Sequence, residues 1–172
     1  CPFCFRAQVN MLFLGTSVLI LLDLSYVSRF WTQFEAWLSM QFATPGGLKS
    51  AVGTANVRHH IVCIQNAAEQ SELYTKALTT SWSNKTPLQA HDFLSKPDVT
   101  VTNASDKEGQ LPKIKALDAT VQDAFQAIDA QLQQRVTAST EVVARTKAAL
   151  DAFESENDVK AGERNPVKVA AA

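Results

Sequence analysis

The chain has 172 residues, 46% of them hydrophobic, with 16 Lys and Arg against 17 Asp and Glu and a formal net charge of −1. The balance holds along the chain: 2 basic against 2 acidic residues up to Thr44, 6 against 6 from there to Pro112, and 8 against 9 beyond. That length accommodates one ordinary domain plus an anchor, and even charge excludes the basic footprint of nucleic-acid binding.

Cys1 stands where a methionine is expected, which fits a removed targeting segment, a fragment or a start at Met11, and Cys1 and Cys4 form a C-P-F-C pair. Such a pair becomes redox-active when a βαβ context and a helix N-terminus lower a thiol pKa. Here it precedes an apolar segment with no strand pattern beside it, so both cysteines read as incidental. Cys63 falls within a helical pattern and reads as a small buried hydrophobe.

Between Arg6 and Arg29, the stretch from Ala7 to Ser28 carries one charge, Asp23. As a helix it covers roughly 33 Å, enough for a hydrocarbon core about 30 Å thick, so the sequence predicts one transmembrane span, with a signal-type segment or a soluble core helix as the alternatives. Arg29, Phe30 and Trp31 follow immediately, the residue types that a membrane–water interface favours. An acid inside a span is costly, and Asp23 is expected to snorkel or to link to Arg29. Arg6 and Arg29 flank the segment symmetrically and leave its orientation open.

Phe30 to Phe42 stays aromatic and amphipathic, with Phe34, Trp37 and Leu38 at helical spacing and Glu35 as its one charge. This predicts an interfacial helix in which Phe34 and Trp37 contact a partner, ended by Thr44-Pro45-Gly46-Gly47. Residues 1–44 thus form a membrane anchor with its interfacial helix, and residues 45–172 a soluble helical region.

A second helix is predicted over about 48–82, where Val57, Ile61, Ile64, Ala68, Leu78 and Trp82 share one stripe. His59 and His60 diverge by ~100° on that wheel and His91 is distant, so no metal site is expected. Residues 83–112 hold Pro87, Pro97, Gly109 and Pro112 and read as an irregular connector. Within it, Thr86-Pro87 suggests an N-cap with a short helix to Leu94, and Asn84 and Asn103 head glycosylation sequons.

The third helix is predicted over 113–157, free of glycine and proline. Ile114, Leu117, Val121, Phe125, Ile128, Leu132, Val136, Val143, Leu150 and Phe153 fall within ~100° of arc. Glu141 and Arg145 form a favourable i,i+4 pair, and Arg135 is the misfit within the arc. Gly162 and Pro166 stop the helix, leaving an extended tail over 162–172.

The sequence therefore predicts an all-α fold: a span, an interfacial helix, and a long helical hairpin with an irregular connector. It contains no glycine-rich phosphate loop, no G-x-S-x-G, no H-E-x-x-H and no cysteine–histidine cluster, so catalytic, cofactor and metal residues are all expected to be none. The function expected is a non-catalytic accessory subunit of a multisubunit complex in an organellar inner or thylakoid membrane. Its partners are other subunits, met through Val143, Leu150 and Phe153, and the lipid bilayer. The alternative is a secreted or surface-anchored helical binding protein with both sequons in use.

Overall fold

The computed structural model describes residue 10 and residues 12–163, with side chains described as far as residue 156. The C-P-F-C pair, most of the flank around Arg6 and the tail beyond Glu163 lie outside the described residues.

From Val18 on, the elements follow in the order β1 (Val18–Leu22), α1 (Phe30–Ser39), β2 (Gln41–Thr44), β3 (Gly47–Ser50), β4 (His59–Cys63), α2 (Ser71–Trp82), α3 (Pro87–Leu94), α4 (Ala104–Lys115) and α5 (Leu117–Glu163). Short 3-10 turns at Tyr26–Ser28 and Gln65–Gln70 lead into α1 and α2. The chain forms two units, residues 1–126 and 127–172.

Strands overturn the all-α expectation, and the first of them overturns the span. Residues 12–15 make one helical turn, and Val18–Leu22 is then extended, paired in parallel with His59–Cys63. A parallel strand is apolar on both faces, which is why VLILL reads like membrane helix. Among the described residues no helix is long and apolar enough to cross a membrane. That finding corrects the single-pass anchor and the single-pass inner-membrane or thylakoid localisation expected above.

The aromatic segment is a helix, but an internal one. Phe30, Phe34, Trp37 and Leu38 are wholly shielded from solvent within the chain's own core. Its neighbours differ: Arg29 is exposed and Trp31 half-buried, its ring edge-on to Phe30 at 5.3 Å. Phe30, Phe34 and Trp37 stack along α1 at 6.4 and 6.1 Å, geometry worth ~0.5–1.5 kcal/mol per pair beyond burial. The Trp37 indole N–H donates to the Lys85 carbonyl at 2.9 Å, which gives the ring's one polar atom a partner. Thr32 Oγ1 and Gln33 Nε2 donate to the carbonyls of Tyr26 and Val27, fixing the 3-10 turn to the start of α1.

The predicted helix over 48–82 is mostly something else. Pro45 and Gly46 form the two-residue turn of a β2–β3 hairpin, and residues 51–58 form a turn region with Gly53 at φ +76°. Only Ser71–Trp82 is α-helical. Strand β4 contains the β-branched pair Ile61 and Val62, which favours extended backbone over the helix expected there.

The connector is more regular than its prolines imply. Thr86 and Gln89 form a capping box with Pro87 at the first helical position, as that dipeptide predicts, and α3 follows. Asn103 caps α4, its side chain accepting from the Ser105 N–H at 3.2 Å. Helix α4 then runs through both Gly109 and Pro112 before Ala116 breaks it, so α5 begins at Leu117 and not at Lys113. Gly162 lies within α5 and does not stop the helix as expected from its composition.

The core of the first unit joins Ile20, Leu22, the α1 aromatics, Trp82, Leu94, Ile114, Leu117 and Val121. The hairpin is fixed to α5 by the Asp118 carboxylate, which accepts from the Leu48 N–H at 2.8 Å, and by Gln122, which donates to the Gly46 carbonyl at 3.1 Å.

Candidate functional site

The α5 stripe begins as ordinary core. Leu117 and Val121 are buried and Phe125 is half-buried. From residue 127 the helix belongs to the second unit, where the same spacing continues without cover. Ile128, Leu132, Val136, Val143, Leu150 and Phe153 are between 52% and 67% exposed. Arg135, Ser139 and Thr140 lie among them, and the exposed Asp129 and Lys147 beside them. Arg145 Nε contacts the Glu141 backbone carbonyl at 3.4 Å, so this pair binds by the main chain. Scattered exposed aliphatics are normal, but an apolar row along one helix face marks an interaction site.

A second apolar surface lies on the parallel sheet. Leu19, Leu21 and Val62 point outward with His60, in the register Leu19↔His60 and Leu21↔Val62, while Ile20 and Leu22 point into the core. Parallel sheets are normally covered on both faces, and here one face is open.

The residues expected to meet partners divide accordingly. Val143, Leu150 and Phe153 are exposed on α5, whereas Phe34 and Trp37 are fully buried in the chain's own core. Sequence reasoning missed Leu19 and Leu21; their alternation with Ile20 and Leu22 would have signalled a strand with two apolar faces.

Titratable side chains elsewhere serve structure. Arg58 ties the residue 12–15 turn to β2: Nη1 donates to the carbonyls of Phe13 (2.7 Å) and Thr16 (3.1 Å), and Nη2 to that of Gln41. Burial lowers the Arg58 pKa, yet three carbonyl acceptors hold the guanidinium in place. His59 is half-buried with Nδ1 lacking a partner, and burial lowers its pKa below the usual imidazole value, against the pull of a backbone hydrogen bond at Ser39. Burial raises the Glu35 carboxyl, and it raises the neighbouring Tyr26 phenol further above its usual value with help from Glu35. Asp23 follows β1 and accepts from the Ser25 hydroxyl at 2.8 Å; that bond is the main cause lowering its pKa, and the charge of Arg29 adds to it.

Chemistry-bearing groups are dispersed. Cys63 Sγ lies 3.7 Å from the Thr75 hydroxyl and 3.6 Å from the Ser71 carbonyl, an arrangement that supplies no base. His59 and His60 face opposite sides of β4, and His91 Nδ1 pairs with Asp92 at 3.0 Å. Among the described residues no three His, Cys, Asp or Glu side chains converge for a metal. Asn84 follows α2 in an exposed turn, and Asn103 is committed to its cap.

No protein-family model, no curated protein and no solved structure matches this chain.

Proposed function

We propose that this chain is a non-catalytic structural subunit of a multisubunit assembly, presenting α5 as a docking helix for another polypeptide. The observation that carries this reading is the uncovered apolar row Ile128 to Phe153 on a helix that runs to Glu163. Single helices are marginal in water, and burying each large aliphatic or aromatic side chain contributes ~1.5–3 kcal/mol. Covering six of them offsets the ordering cost of a helix pair. The outward face of the β1–β4 sheet supplies a second apolar patch for the same assembly.

The test is the native size of the assembly. Tagged chain in extracts of its own cells is expected to elute well above monomer mass, and a variant carrying V143S, L150S and F153S to elute as monomer. Equal elution of the two would sink the reading. Circular dichroism of the purified variant confirms that helix content survives.

A further inference from the structure

We propose that the exposed stripe of α5 pairs with the same stripe of a second copy of this chain, antiparallel, about a two-fold axis between Thr137 and Ala138. This rests on α5 being the assembly surface and names its occupant. The part of the stripe used reads Ile128, Leu132, Val136, Ser139 and Val143, with Lys147 at its edge and Leu150 and Phe153 beyond it, in steps of 4, 4, 3, 4 and 4 residues from Ile128 to Lys147. That series is the same from either end. An antiparallel second copy therefore brings Leu132 opposite Val143, Val136 opposite Ser139, and Ile128 opposite the aliphatic stem of Lys147, and each layer occurs twice. Mixed 3-4-4 steps belong to an 11-residue repeat of ~3.67 residues per turn, close to the 3.6 of a straight helix. Two such helices stay in contact with little supercoiling.

Charge selects the direction. Asp129 and Lys147 are 18 residues apart, five helical turns at ~3.6 residues each, so both flank the stripe on the same side. Both are exposed, and neither has an ion-pair partner among the described residues. In an antiparallel pair like flanks meet. The Lys147 ammonium, carried past Ile128 of the second copy, then reaches the carboxylate of the adjacent Asp129, and the two-fold axis repeats the pair. A parallel, in-register pair would instead place Lys147 in one layer with its own counterpart, which like charge opposes.

Light scattering after size exclusion, across a concentration series of the full chain, tests this. Wild type is expected to dimerise. D129K and K147D should each weaken the dimer about tenfold, because two attractive contacts become repulsive. The double variant D129K/K147D should recover wild-type affinity. Both positions are exposed, and circular dichroism verifies that each variant is folded. Direction is read separately, in a background where Cys1, Cys4 and Cys63 are serine. Oxidised L132C mixed with V143C should form a mixed disulfide dimer, and L132C alone should not link to itself. A monomeric wild type, a double variant no better than the singles, or self-linked L132C would each overturn the proposal. If the wild type is monomeric when pure but still elutes in a large assembly from extracts, the docking-helix reading stands and its occupant is a different chain.

Discussion

Gly47 shows how single positions carry the fold. Its φ of +105° suits glycine, and a Cβ there would meet Asp118 Oδ1 at 2.7 Å. The close approach is what lets the Leu48 N–H reach that carboxylate, joining hairpin and α5. Gly47→Ala is expected to destabilise the first unit by about 1–3 kcal/mol in urea denaturation. Gly46→Ala, whose new Cβ would meet only Thr44 Oγ1 at 3.8 Å, should stay near wild type. Glu35 acts in the opposite sense. Burial raises its pKa, so the ionised form is disfavoured in the fold, and that penalty is present at neutral pH and relieved as pH falls through the folded pKa. Glu35→Gln should therefore raise stability at pH 7, with the gain shrinking toward the carboxylate range. His59 has a lowered pKa: it is neutral in the fold without penalty above about 6.5, and stability is lost as pH falls from there through the folded value. A variant His59→Gln should flatten the acid limb of a thermal-melting pH series, and an unchanged slope would refute this account.

At the scale of elements, β1 tests strand against span. Leu19 and Leu21 are 61% and 51% exposed, whereas Leu22 is buried, with Cys63 beside it in register. Leu19→Gln is expected to change stability by less than about 0.5 kcal/mol, while Leu22→Ala should cost ~2–5 kcal/mol. A membrane span would not discriminate in this way between two leucines three residues apart, which share one helix face. Helix α1 was legible as an amphipathic helix from Phe30, Phe34, Trp37 and Leu38, but which surface its apolar face meets was not. Membrane, partner and own core all reward the same side chains, and only the arrival of Trp82, Leu94 and Ile114 from distant segments selects the core. In α4, Gly109 and Pro112 read as breakers, yet the Asn103 cap and the burial of Gln110 and Ile114 carry the helix through both.

For the whole molecule, the division into two units makes a separable prediction. Trp31, Trp37 and Trp82 all lie in the first unit, and the exposed row Ile128 to Phe153 lies in the second. The V143S/L150S/F153S variant should therefore keep the tryptophan-detected unfolding free energy within about 0.5 kcal/mol of wild type at low concentration. Its concentration-dependent association should be lost. A large loss of the fluorescence-detected stability would mean that the row supports the first unit and not an assembly.

What the sequence by itself determined are the features set by neighbours along the chain. These are the even charge, the capping box at Thr86 and Gln89, the helical character of Phe30–Ser39, and a long one-sided helix reaching past Leu150. Each depends on interactions within about four residues, where periodicity and capping act. Only the tertiary structure decided that VLILL is a strand, because its hydrogen-bond partners lie some forty residues on at His59–Cys63 and no local signal names them. By the same reasoning, the row from Leu117 to Phe153 has one periodicity throughout. Its division into covered core at Leu117 and Val121 and open surface from Ile128 depends on where residues distant in sequence happen to pack.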